Sequence, residues 1–394
     1  MLGRLAFPPD IPPTSVLVSF YYGFSANMGG GQYARITTFD PELQLHSIQQ
    51  VPRPNVTIQA ALNALTGDGV VQITDNGRYL ETPNIVVAPN QRIEVRAADQ
   101  KRPTLVLTGD LQIDGGENGE VTLNGLLISG GVLRIGGKLQ SLRLRHCTLV
   151  PGLSLNIHGI PQLPTAASLV LEVDPTYPIT VEIDHCIMGP LRLPEEGVML
   201  NVTDSIIDAS DVNGKPGVAI AASDDGTQPG PSTTIERTTV IGTVYVRELA
   251  LASNCLFTQH VTTDRRQAGC VRFSYVPDGS RTPHRYRCQP DLAVQQALDV
   301  ALQANPFLTQ AEQDAIANTV RMRLKPIFTQ EDYGQPAFSQ LDTRCPVEIR
   351  TGADDGAEMG AFHDLFQPQR EGNLLSHLDE FLRFGMEAGV LYVT

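Results

Sequence analysis

The chain has no tryptophan, and aromatic residues make up only 6% of it. A stacking platform for sugar rings or nucleic-acid bases is therefore poorly supplied. Charged residues are also sparse, at 18%, which argues against a long solvated helical rod. Positive charge is the scarcer sign, with 29 Lys and Arg against 43 Asp and Glu and a net charge of −14. Such a surface repels DNA, RNA and anionic membranes unless a local basic patch intervenes. The clearest basic run is Arg281, Arg285 and Arg287, with Arg272 nearby, and it reads as an internal ion-pair or loop feature.

No stretch reaches the roughly 18–20 consecutive apolar residues needed to cross a bilayer. The opening MLGRLAFPPDIPP has no apolar run of leader length before its prolines. The expectation is a protein that is cytoplasmic when made, with export inside a larger particle or release by lysis left open. No HExxH, GxSxG or CxxC occurs, so zincin, serine-hydrolase and zinc-knuckle chemistry lack their spacing. The triple glycine at 29–31 lacks the Lys-Ser/Thr of a phosphate loop and reads as a flexible turn.

What the chain does have is texture in three parts. Residues 1–55 are rich in Pro and Gly, with one strand-like run at 15–22. Residues 56–289 are dense in short alternating strands broken by Gly, Asp and Asn. Residues 290–394 turn helical. These are taken as an N-terminal extension, a β region and a helical C-terminal region. In TIQAALNAL at 57–65, Ile58, Ala61, Leu62 and Leu65 fall on one helical face, with Asn55 or Thr57 as cap. A short amphipathic helix just ahead of a run of strands suits a lid over an open strand edge.

The strand region repeats a unit of apolar alternation, a polar residue or two, a small residue and then apolar residues. Copies are RLRHCTLV (143–150), EIDHCIMG (182–189), NVTDSIID (201–208), TIERTTVIG (234–242) and LASNCLFTQ (251–259), with a weaker TLNGLLISG (122–130). Aligning Cys147, Cys186, Ser205, Thr238 and Cys255 gives steps of 39, 19, 33 and 17 residues. The 33 contains the loop ASDDGTQPGPS, and a period of this size is the signature of a coil-by-coil β architecture. The expected fold is mainly β: a right-handed parallel β-helix, a single-stranded solenoid with an N-terminal cap helix and a C-terminal helical region.

From TIQAALNAL through GRYLE, the chain resembles the start of pectin methylesterases and other members of the pectate-lyase-like superfamily. The likeness covers about residues 56–260 and implies the solenoid. It also implies where chemistry would sit, since those enzymes use paired aspartates with an arginine, or clustered aspartates, on the outer face. SFYYGFSANMGGGQY (19–33), GCVRFSYVPDGSRTPHRYRCQP (269–290) and LDEFLRFGMEAGVLYVT (378–394) are similar to uncharacterised bacterial proteins associated with phage-tail-like contractile injection systems. That second resemblance implies a particle component.

The candidate carboxylates are Asp184 and Asp204, placed at matching repeat positions about one strand spacing, ~5 Å, apart. The weaker candidates are Asp224 and Asp225, in a Gly/Pro-rich loop that reads as a solvated turn. The slot holding Asp184 and Asp204 also holds other polar residues, so a structural turn is the favoured reading. Cys147, Cys186 and Cys255 occupy repeat slots and are read as buried, reduced wall residues. Cys270, His284, Cys288 and Cys345 offer a zinc set; a Cys270–Cys288 disulfide competes with it, and free thiols are preferred to both. No cofactor is expected.

In the C-terminal region, Asp291 to Gln303 reads as a helix. A capping box at Thr309 to Glu312 opens a second helix, which Pro326 ends. A third begins at Asn373, and its Leu374, Leu378, Phe381 and Leu382 stripe is expected to pack on the protein's own body. The functional expectation is a non-enzymatic structural or docking component of a bacterial multi-protein assembly, with protein partners, no nucleic acid and no membrane insertion. The alternative is a polysaccharide hydrolase, esterase or lyase, or a polysaccharide-binding spike.

Overall fold

A computed structural model describes residues 26–209, 215–335 and 337–381. The strand expected at 15–22 lies outside them, as does the end of the chain from residue 382. Strand pairing is parallel throughout the two sheets, one of sixteen strands and one of eight.

The smaller sheet runs in order through Arg78–Leu80, Thr104–Val106, Leu127–Ser129, Thr148–Leu149, Ile187–Met188, Ile206–Asp208, Thr239–Ile241 and Leu256–Phe257. The larger sheet contains a closed circuit. The first half of Leu133–Arg145 pairs with Leu169–Leu171, and that arm continues through Leu191–Arg192 and Val218–Ala221 to Thr243–Ser253. The second half of Leu133–Arg145 pairs with Ile179–Asp184, and this arm continues through Val198–Thr203 and Gly230–Glu236 back to Thr243–Ser253. Eight parallel strands thus form a ring. Outside it lie Ser47–Val51, Gly69–Ile73, Ile85–Val87, Arg92–Ala97 and Leu111–Asn124 on one side, and Val261–Thr263, Cys270–Arg272 and His284–Tyr286 on the other.

This corrects the expected fold. The architecture is a closed, parallel, eight-strand barrel with further strands outside it, not an open right-handed β-helix solenoid. The physical reason lies in the long strands. Leu133–Arg145 and Thr243–Ser253 each run across two faces without losing their ladder, so the two arms share both ends. At Gly136-Gly137 the structure keeps one continuous strand. Gly137 has φ +77°, and a Cβ there would collide with the carbonyl of Gly115 on the neighbouring strand. Only glycine lets the strand take this conformation so close to its partner.

Alternation fills the interior. Ile179, Val181 and Ile183 point inward and stack on Val198, Leu200 and Val202 in strict register. These and the inward residues of the smaller sheet, such as Ile128, Leu149, Met188, Ile207, Val240 and Phe257, belong to one continuous core. Each fully buried Leu or Ile adds about 1.5–3 kcal/mol of transfer free energy.

Helix α1 (Ile58–Asn63) packs Ile58, Ala61 and Leu62 onto the core beside the first two strands. Its cap is Thr57, whose Oγ1 accepts the Ala60 amide at 3.0 Å. The Glu81 carboxylate accepts the Ile58 and Gln59 amides at 2.9 and 2.7 Å. At the other end, α2 (Asp291–Ala304) and α3 (Gln310–Arg323) pack against each other, and Thr309 and Glu312 form the expected capping box. The short α4 (Val347–Arg350) follows, then α5 (Gln367–Phe381). Of the stripe expected to dock on the protein's own body, Leu374 is 46% and Phe381 74% exposed, while Leu378 is half-buried. Leu382 lies outside the described residues. No described helix is long and apolar enough to cross a membrane.

Candidate functional site

The repeat unit positions the site. In each copy the residue just before the small residue adopts a left-handed backbone: His146 (φ 49°), His185 (52°), Asp204 (45°), Arg237 (44°) and Asn254 (57°). The small residues that follow turn inward. Cys147, Cys186, Ser205, Thr238 and Cys255 are fully buried. They are also stitched from copy to copy: the Cys147 amide donates to Cys186 Sγ at 3.3 Å, and the Cys186 amide to Ser205 Oγ at 2.9 Å. Burial pushes the Cys255 thiol up to about 12, so it stays protonated at neutral pH. All six cysteines are free.

The side chains of the left-handed residues form a polar column beside the smaller sheet. His146 and His185 lie with ring centroids 4.8 Å apart. Asp184 Oδ1 is 2.8 Å from His185 Nδ1 and accepts the Thr203 hydroxyl at 3.1 Å. His185 and Thr203 together hold the Asp184 carboxyl below its usual range despite burial. Asp204 accepts Arg237 Nε and Nη2 at 2.7 and 2.8 Å, a two-pronged ion pair. Burial drives His146 down to about 4, against the ordinary 6.5, so its imidazole is neutral.

Two distant segments fold over this column. From the N-terminal side, the Gly29 amide donates to His185 O at 2.7 Å and the Gly30 amide to Thr148 Oγ1 at 2.9 Å. Tyr33 Oη lies 3.0 Å from His146 Nδ1. The triple glycine is therefore a close-packed strap and not a loose turn, since a Cβ on Gly30 would run into the Leu126–Leu127 backbone. Arg35 pins the strap: buried, it donates to Gly31 O and Lys101 O at 2.6 Å each. From the C-terminal side, the Gly360 amide donates to Asn254 O at 2.8 Å and the Ala361 amide to Thr239 Oγ1 at 3.0 Å. Asn254 Nδ2 donates to Asp354 Oδ1 at 2.8 Å. Between the straps lies a cavity of about 330 Å³, lined by Ala26, Asn27 and Met28, by Phe362 and Asp364, and by His185 and Asp204.

Of the sequence candidates, the Asp184 and Asp204 pair falls differently from expectation. Asp184 and Asp204 are not register partners: Asp184 stands opposite Thr203, and the equivalent of Asp204 is His185. The alignment behind the proposed pair slips by one residue. Asp224 is exposed and bridges Arg192 at 2.8 Å, while exposed Asp225 accepts from Ser223 and Thr227 within its turn. Cys270 and His284 are register neighbours on adjacent strands, but Cys288 is buried with its thiol donating to Val271 O, and Cys345 belongs to a separate apolar cluster. Those four do not make a cluster of ligand atoms. Among the described residues, groups with metal-ligand spacing are His146, Asp184 and His185; His185, Asp204 and Asp364; and Asp354, Asp355 and His363. Of these, the sequence reading reached Asp184 and Asp204 only. His146 and His185 stood visible before two slot cysteines, whereas Asp364 is joined to them only by the fold.

A larger groove of about 870 Å³ separates the strands from α3, lined by residues of both signs, among them Asp278, Arg321, Lys325 and Glu331. In the basic run, Arg285 pairs with Asp291 at 3.0 Å, consistent with an internal role. No protein family, no curated protein and no solved structure matches the chain, so neither the pectate-lyase-like nor the injection-system likeness gains support, and both are set aside.

Proposed function

We propose that this protein is a non-enzymatic structural or docking component of a multi-protein assembly. The observation that carries the reading is the set of exposed large apolar side chains on the helical region. Phe307 is 89% exposed between α2 and α3, Met322 and Val300 stand out from those helices, and Leu374 and Phe381 stand out from α5. Large apolar side chains on a polar helical surface are the ordinary material of protein contacts. The carboxylates offered for polysaccharide chemistry point the same way. Asp204 is neutralised by Arg237, Asp184 is engaged by His185 and Thr203, and Asp224 and Asp225 sit in an exposed turn.

The test is the size of the native protein in its source cells, before and after Phe307→Asp. Phe307 is exposed, so this variant should melt as the wild type does. The expected result is a large complex with fixed partner stoichiometry that the substitution breaks. Wild-type chain running alone, with product release from an acidic polysaccharide that Asp184→Asn abolishes, would overturn the proposal.

A further inference from the structure

We infer that His185, Asp204 and Asp364 form a binding site for a divalent transition-metal ion at the seam between the strand wall and the C-terminal strap. This inference stands apart from the docking proposal. Ligand-capable atoms of the three residues lie within 4.8 Å of one another. The same three residues line the cavity of about 330 Å³ between the straps, which leaves room for water on an ion's remaining positions. The two observations are independent: one concerns ligand atoms and the other empty space.

The chemistry of the donors fits. The Nδ1 of His185 is committed to Asp184, so Nε2 is the nitrogen left for an ion. A carboxylate on the far ring nitrogen is the usual support of a metal-binding imidazole, fixing its tautomer and raising its basicity. Asp204 faces Arg237 with both oxygens, yet each carboxylate oxygen has a second lone pair that an ion can use. Asp364 is exposed and comes from a segment far along the chain. One imidazole and two carboxylates suit zinc or manganese, whereas calcium and magnesium prefer all-oxygen shells. Bond lengths of about 2.0–2.2 Å require the three donors to draw together slightly, which the exposed Asp364 can do. An ion held there would tie the strap carrying Asp364 to the wall carrying His185 and Asp204.

Calorimetric titration of the metal-stripped full chain with Zn²⁺ tests this, with Asp364→Asn, His185→Gln, Asp184→Asn and, as control, Asp225→Asn. One Zn²⁺ should bind per chain. Asp364→Asn and His185→Gln should each weaken binding at least about tenfold, and Asp184→Asn, acting through His185, by about tenfold. Asp225→Asn should bind like the wild type, and equimolar Ca²⁺ or Mg²⁺ should not displace the zinc. Asp364→Asn changes an exposed residue, so it decides the matter even where His185→Gln fails to fold. Absence of saturable binding, binding that survives Asp364→Asn unchanged, or displacement by Ca²⁺ or Mg²⁺ would overturn the inference.

Discussion

Glu358 is the residue whose placement sits worst with its chemistry. It is 3% exposed, and burial pushes its carboxyl from 4.5 up to about 8, with Arg350 drawing it part of the way back. A raised folded value means that the folded state holds the proton more tightly than the unfolded chain does. Stability is therefore fully present below about pH 4.5 and is lost as pH rises towards 8. The loss is on the order of 5 kcal/mol, at about 1.36 kcal/mol per unit. Glu358→Gln should remove it. Thermal melts at pH 5 and pH 8 check this: the variant should melt above the wild type at pH 8, and the gap should narrow at pH 5. Nothing in the sequence around Glu358 marked it, because burial there depends on segments distant in the chain. The slot cysteines were legible for the opposite reason. A small residue recurring after a polar one is a local pattern, and the left-handed turn that needs it is local too. The same pattern contained His146 and His185, and aligning Asp184 with Asp204 hid them, since a slip of one residue along a strand exchanges its two faces.

At the scale of elements, local signals did well wherever hydrogen bonds stay within a few residues. Thr57, one of the two caps the sequence offered, caps α1, and Thr309 with Glu312 caps α3 as their spacing predicted. The strands were legible as strands but not as continuous objects. Gly136-Gly137 lies inside Leu133–Arg145, the one strand that serves both arms of the ring. Gly137→Ala tests that role. It forces a side chain into a left-handed position against the Gly115 backbone, and should cost about 1–3 kcal/mol. Gly136→Ala, where a Cβ meets open space, should cost far less. Chemical denaturation of the pair checks the difference, and equal losses would mean that the strand does not depend on Gly137.

At the scale of the described molecule, a parallel strand wall encloses one continuous core, with an N-terminal strap and a C-terminal strap laid over the same polar column. Closure of the ring was not legible, because it depends on which strands share hydrogen bonds, and alternation is the same in open and closed sheets. The straps were not legible either, since their partners lie more than a hundred residues away: Gly30 on Thr148, and Ala361 on Thr239. That both segments are integral to the wall is the central structural claim, and the cavity with its ligand set exists only if it holds. Native-state hydrogen exchange read by mass spectrometry on peptides covering 26–33, 354–364 and 179–184 tests it most directly. Amides of Gly29, Gly30, Gly360 and Ala361 are hydrogen-bonded to the wall, so the strap peptides should show slow exchange approaching that of Ile179–Asp184. Complete exchange of either strap within seconds, while Ile179–Asp184 remains protected, would contradict the account.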